Sequence, residues 1–338
     1  MKITIVDVAR KAEVSVATVS RVMNGNYPVK AETKARVLAA IKELNFIPSM
    51  QAKEFTKQKS TTIGVVVPSI NNMFFTDVVN SIENYLKTRG YSMILCCANN
   101  DKDEEIHSVQ NLISRNVSGI IIVGPSTENV KSEFYSNISM KIPLTFVNGS
   151  NNVQNISSVS NDEACGALLS LNYLLENNHK NILFVRGENS YSYDIKEEAY
   201  IEFMKSIDNF SLSNIVNIGK GNHTDTVDNT TEVLIDILSS RKDITAVFAC
   251  NDLMALGVIN ACKKLNLNVP KDLSVIGYDN ILLSRLIEPK LTTVDQNMAL
   301  LGSNASMLLL EKIKCNNEFS KRIILNNHII KRETVCKL

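Results

Sequence analysis

The stretch Thr4–Asn24, TIVDVARKAEVSVATVSRVMN, constrains this chain most. Ile5, Val8, Ala9 and Ala12 fall at i, i+3, i+4 and i+7, one apolar helical face. Thr4 stands just before it with Asp7 three residues on, a capping-box spacing. Glu13-Val14-Ser15 breaks the pattern, and Ser15 is placed to cap a second short helix. On that helix Val19, Val22 and Met23 point inward, while Val16, Ala17, Ser20, Arg21 and Asn24 share the outer face. Periodicity alone leaves two readings level. One is a helical hairpin that only packs. The other is a helix-turn-helix whose small outer residues let the backbone approach base edges in a DNA major groove. There Arg21 would bind guanine O6 and N7, and Asn24 a base edge or a phosphate.

Charge is divided along the chain. Residues 1–60 hold eleven Lys/Arg against five Asp/Glu, and the remainder 25 against 30. A basic head on an acidic body fits a nucleic-acid contact confined to the N-terminus. With 338 residues, the chain has room for two or three domains with cores of their own. There is no apolar run of eighteen residues, and the N-terminus has charges throughout rather than a signal-peptide core. These features predict a cytoplasmic protein without a membrane segment. Seven scattered cysteines, with no C-x-x-C, read as reduced core residues. Four isolated histidines have no metal-ligand spacing. No cofactor, metal or catalytic residue is expected, and paired carboxylates near a histidine are absent, so an enzyme is disfavoured.

Residues 31–44 place Val37, Leu38, Ile41 and Leu44 on a helical stripe that closes a three-helix head, with Asn45 as a left-handed stop. The polar, basic segment 45–61 reads as a linker, within which Met50 to Lys57 could form one short helix, marginal alone. From Ile63 onward strands and helices alternate singly, in two successive series. That pattern predicts parallel, doubly wound sheets in two similar lobes. Neither series carries G-x-G-x-x-G or a Walker motif.

The order of residues adds a resemblance. T-I-x-D-V-A-x-x-A-x-V-S-x-x-T-V-S-R-V-x-N closely resembles the headpiece signature of the LacI/GalR family of bacterial transcription regulators. Val16-Ala17 and NGNYPVK are most similar to its catabolite-control branch. SINNMFF, FACNDLMALG, VPKDLSVIGYDN and LTTVDQ resemble blocks of the family's effector domain and of ribose-type periplasmic binding proteins. The resemblance implies an all-α helix-turn-helix headpiece (1–46), a hinge helix and linker (47–60), and an α/β periplasmic-binding-protein-like body (61–338). The body would have two doubly wound parallel-sheet lobes: about 61–160 plus 294–324, and about 162–291 plus 325–338. It also implies a homodimer on a double-stranded DNA operator, paired through the body near Phe75–Arg89, Leu256 and Ile287. Implied DNA contacts are Thr4, Ser15, Val16, Ala17, Thr18, Ser20, Arg21, Asn24 and Tyr27 in the head. In the hinge they are Met50, Ala52, Lys53 and Phe55, with Phe55 as a minor-groove wedge. The family usually has Arg and Leu where this chain has Lys53 and Phe55.

In doubly wound sheets ligands sit outside the carboxyl ends of strands. Asn72, Phe74, Phe75, Asn148, Asn251, Asp252 and Asp279 follow predicted strands there. Amides and a carboxylate suit hydroxyls, and an aromatic suits a ring face, so a sugar or sugar phosphate is the expected effector. The resemblance adds Lys196 and Gln296, and shows two departures: Asn148 for the Asp of ribose-type sites and Lys196 for their Arg. Other readings stay open. Asp252 and Asp279 could cap the helices that follow, and Phe74 or Phe75 could be core. In the catabolite-control branch the signal is a phosphorylated carrier protein acting as corepressor. A sugar-binding transport component is the competing function, against which stand the head and the absent signal peptide.

Overall fold

A computed structural model describes residues 3–24, 27–46, 60–149, 153–315 and 320–338. The chain divides into two compact units, 1–60 and 61–338.

In the N-terminal unit, α1 (Ile5–Lys11), α2 (Val16–Asn24) and α3 (Ala31–Glu43) share one core of Val8, Ala9, Ala12, Val19, Val37 and Ala40. Asp7 holds the start of α1, accepting from the Thr4 N–H at 2.9 Å and the Thr4 hydroxyl at 2.7 Å. The Ser15 hydroxyl accepts from the Thr18 N–H at 3.2 Å and caps α2. Asn45 ends α3 at φ 46°, a left-handed position that Asn tolerates. The expected α3 stripe needs one correction: Leu38 is half exposed, and Ala40 takes its place in the core. Leu38 lies one residue, about 100° of helix, from Val37. The face turned inward is Val37, Ala40, Ile41 and Leu44 instead.

The second unit is built on two parallel sheets. The first holds β1 (Thr62–Val67), β2 (Ser92–Cys97), β3 (Gly119–Val123), β4 (Leu144–Val147), β5 (Ser157–Asn161) and the returning β11 (Arg322–Leu325), in the order 11-5-4-3-1-2. Its central strands are apolar and buried on both faces, as helices on both sides require. The second holds β6 (Ile182–Arg186), β7 (Ile215–Asn217), β8 (Ala246–Ala249) and β9 (Ser274–Ile276), in the order 7-6-8-9. A short antiparallel pair, β10 (Thr293–Asp295) with β12 (His328–Ile330), stands beside them. The covering helices are α4 (Met73–Lys87), α5 (Lys102–Ser114), α6 (Thr127–Lys131), α7 (Phe134–Ser139), α8 (Glu163–Glu176), α9 (Tyr191–Ser206), α10 (Thr226–Ser240), α11 (Asp252–Lys264) and α12 (Met298–Cys315).

The doubly wound, two-lobed body is therefore as the alternation of elements predicts. The alternation pattern does not reveal α12, the longest helix described, because its apolar residues nearly surround it. It packs on α4, where a Cβ at Gly302 would lie 2.5 Å from the Val78 carbonyl oxygen. In each sheet the strand order reverses once, between β1 and β3 and between β6 and β8. Such a reversal opens a crevice at the carboxyl ends of the two strands.

The corrected stripe gives a test. Val37→Ala should destabilise the head by about 2 kcal/mol, since it removes a fully buried side chain. Leu38→Ala should stay within about 0.5 kcal/mol. Urea denaturation of the two variants checks the contrast, and equal losses would place Leu38 in the core after all.

Candidate functional site

In the head, α2 presents its outer face as expected. Val16, Ala17 and Arg21 are exposed, as are Thr4, Ser15 and Tyr27, while Thr18 and Ser20 are half-buried. The Arg21 guanidinium lies over the Tyr27 ring, 5.6 Å from its centroid. Neighbouring cations Arg10, Lys11 and Arg36 pair with Asp7, Glu43 and Glu13. Arg21 forms no salt bridge among the described residues, so its fork of donors is open to a base edge. Asn24 ends α2, and its side chain lies outside the described residues. Met50, Ala52, Lys53 and Phe55 also lie outside them.

In the body, both crevices open onto one cavity of about 310 Å³. From the first sheet come Pro68 and Asn72 after β1, Gly124 and Pro125 after β3, and Asn148 after β4. From the second come Glu188 and Asn189 after β6, and Cys250 and Asn251 after β8. Of the nine residues named for the cleft from the sequence, eight line this cavity, Asn72, Phe74, Phe75, Asn148, Lys196, Asn251, Asp279 and Gln296, and Asp252 does not. Both phenylalanines are also core residues, edge to face at 5.3 Å.

The polar residues bond to one another. The Asn72 side-chain oxygen accepts from the Phe74 N–H at 3.0 Å and caps α4, and its NH₂ donates to Asn222 at 2.9 Å. Asn251 caps α11 through the Met254 N–H at 2.8 Å, while its NH₂ donates to the Gly221 carbonyl and the Tyr193 hydroxyl. Gln296 donates to Asp279 at 2.5 Å and accepts from Asn148 at 3.2 Å and Asn161 at 3.0 Å. Asp279 itself sits at φ 123°, a strained position for a residue with a Cβ.

Two expectations change. The capping role considered for Asp252 belongs to Asn251; Asp252 instead accepts from the Ile281 N–H at 2.9 Å and the Thr293 hydroxyl at 2.6 Å. Asp279 caps no helix among the described residues either: its carboxyl takes the Gln296 donor, its N–H pairs with the Val294 carbonyl, and Ile281 starts the short helix that follows. Lys196 reaches the wall with 1% of its surface exposed. Its ammonium donates to the Ser192 hydroxyl at 2.9 Å and the Cys250 carbonyl at 3.2 Å, and pairs with Glu163 at 3.1 Å.

Sequence reasoning misses Asn222, Tyr193 and the loop 219–223. The signal was present: the short strand Ile215–Asn217 is followed by Gly219, Lys220 and Gly221, the carboxyl-end position used for the other strands. His223, also on that loop, lines the cavity with a buried Nε2 that has no hydrogen-bond partner among the described residues.

Burial sets the charge states. It pushes the Asp252 carboxyl up to about 7, against the opposing bonds from Thr293 and Ile281. Burial, and then the nearby Asp252, push Asp279 well above the usual carboxylate range, while Lys196 and the Gln296 bond act the other way. A carboxyl raised in the folded state binds more protons folded than unfolded from about pH 4 upward. Stability then falls as pH rises through that window towards the folded-state value. Urea midpoints should decline between about pH 4 and 7, and Asp252→Asn should flatten the slope, by at most about 1.4 kcal/mol per pH unit. A slope that the substitution leaves unchanged would mean that Asp252 ionises as freely folded as unfolded.

Both parts of the chain are similar to known proteins. Residues 4–49 match the family of bacterial regulatory proteins, lacI family, and residues 171–335 match the periplasmic binding protein-like domain. Catabolite control protein A of Priestia megaterium is 35% identical over 316 residues, 91% of this chain and 92% of that protein. The Lac repressor dimer bound to operator and the anti-inducer ONPF aligns with a TM-score of 0.86 at 26% identity, over 99% of this chain and 100% of that one. A LacI family transcriptional regulator from Enterococcus faecium with bound ribose aligns with a TM-score of 0.71 at 27% identity, over 82% of this chain and 99% of that one. The chain belongs to the LacI family of bacterial regulatory proteins.

Proposed function

We propose that the protein is a sequence-specific transcriptional repressor that binds a palindromic operator as a homodimer and answers to a small polyhydroxylated ligand, a sugar or sugar phosphate, in the body cleft. The observation that carries the reading is the capped α2 with Arg21 exposed on its outer face and in no salt bridge among the described residues. Thr4, Ser15, Val16, Ala17, Thr18, Ser20, Asn24 and Tyr27 complete the proposed major-groove contact. Met50, Ala52, Lys53 and Phe55 are proposed for the minor groove. One head reads too few base pairs for useful specificity, so two must act on paired half-sites. The Lac repressor structure, a dimer bound to operator, supports that assembly. So do the exposed apolar residues Ile70, Leu282 and Leu286, each within five residues of a segment expected at the interface. Support for the ligand comes from the cavity's amides and aromatic floor and from the ribose-bound regulator.

Arg21→Ala should cost about 1–3 kcal/mol of operator binding, concentrated at one base pair of each half-site. Quantitative gel shifts on the selected operator and its single-pair variants measure this. If random duplexes lose as much affinity as the operator, Arg21 holds phosphate rather than a base.

A ligand that binds only the folded state stabilises it by about 2.7 kcal/mol at a hundred times its dissociation constant. For a body this large, that is a melting shift of about 5 °C. In a thermal-shift screen of sugars and sugar phosphates, Asp279→Ala should abolish the shift. If no compound stabilises the wild type, or hits stabilise the variant equally, the cleft is not the sensor. A protein corepressor would then carry the signal.

A further inference from the structure

Lys196 is the one buried cation on the cavity wall among the described residues, and therefore the natural holder of an anionic ligand group. Its surroundings prevent that. An ammonium has three N–H donors. Two of them go to the Ser192 hydroxyl and the Cys250 carbonyl, and the charge lies 3.1 Å from Glu163. Its remaining side faces the Tyr278 ring, 3.6 Å from the centroid, a cation–π contact. Glu163, the first residue of α8, is 6% exposed, and its oxygens have no well-formed hydrogen bond among the described residues. Its burial is compensated by the charge of Lys196, so the two hold each other in place.

The other cations of the wall do not replace it. Lys102 is paired with Glu128, and Lys220 is exposed, where water and salt screen it. Against them stand the carboxylates of Asp101 and Glu188. The remaining polar groups are mostly amides: Asn72, Asn148, Asn222, Asn251 and Gln296. An amide offers a donor and an acceptor and carries no charge, which matches a hydroxyl.

We propose that Glu163 determines specificity in this cleft: by pairing with Lys196 it keeps the ammonium from any ligand anion, so the site takes neutral polyhydroxylated compounds and rejects their phosphate esters. The inference rests on the cleft being the ligand site, as read above. Lys196 then acts as a positioning residue for the wall of Ser192, Cys250 and Tyr278.

The test is calorimetric titration of the full chain with matched pairs, ribose with ribose 5-phosphate and glucose with glucose 6-phosphate. Wild type should prefer one neutral sugar over its ester by about a hundredfold, because the phosphate gives up its hydration and meets no free cation on the wall. Glu163→Gln leaves the ammonium unpaired and should narrow that preference at least about tenfold. Removing both charges together, Glu163→Gln with Lys196→Met, restores a neutral wall and should restore the wild-type preference. That double variant also decides the matter if the single one does not fold. Wild type binding an ester as tightly as its sugar overturns the proposal. So does a folded Glu163→Gln that discriminates like wild type, or a folded double variant that has lost the preference. Failure of every sugar and every ester to bind has a different signature, and it overturns the cleft reading and this proposal with it.

Discussion

The two lobes are joined across the cleft by side-chain amides, above all that of Gln296, with the Asn72–Asn222 bond beside it. Gln296 donates to Asp279, beside the second sheet, and accepts from Asn148 and Asn161, at the carboxyl ends of β4 and β5. All four residues are largely removed from water, where an unmade hydrogen bond is costly. Without a ligand the polar groups therefore satisfy one another, and the same holds for Asn72, Asn222 and Asn251. A ligand with several hydroxyls can enter by exchanging these bonds rather than by desolvating bare groups. An exchange at Gln296 or at Asn72 alters a bond that runs between the lobes, which is how occupancy of the cavity could bias their arrangement.

Rigid surroundings make such an exchange specific. The carboxyl ends of buried parallel strands fix where Asn72, Asn148 and Asn251 begin, and two of them are locked further as helix caps. Beneath them, Asp252 ties α11 to Ile281 and Thr293, and Glu163 with Lys196 ties α8 to α9. Glu105 does the same for the first lobe. Its buried carboxylate accepts from the Ser126 N–H, Asn129 and Tyr135, and so holds the loop after β3 against the cavity. Burial raises its pKa and those three bonds lower it.

Much of this was legible in the sequence because the signals are local. The capping spacing of Thr4 and Asp7, the break at Ser15 and the β-branched runs of the parallel strands are each set by near neighbours. The topological rule then places Asn72, Asn148 and Asn251 without any knowledge of packing. What the sequence concealed depends on distant partners. Leu38 looks like a core residue until the angle of α3 against α1 and α2 is known. Lys196 looks like a ligand contact until Glu163, thirty-three positions earlier, is brought beside it. Asn222 gains its place only because β7 lies at the sheet edge and its loop turns inward to Asn72 and Asn251.

The central claim is that the cleft and the DNA-binding head are coupled. Linkage makes this directly measurable: a ligand that alters operator affinity by some factor must have its own affinity altered by the same factor when operator is bound. The decisive measurement is therefore the dissociation constant of one cleft ligand on free and on operator-bound protein, beside the operator constant with and without that ligand. The account predicts one shared factor, different from one, about 5- to 150-fold. A ligand that occupies the cleft with identical affinity in both states would contradict it.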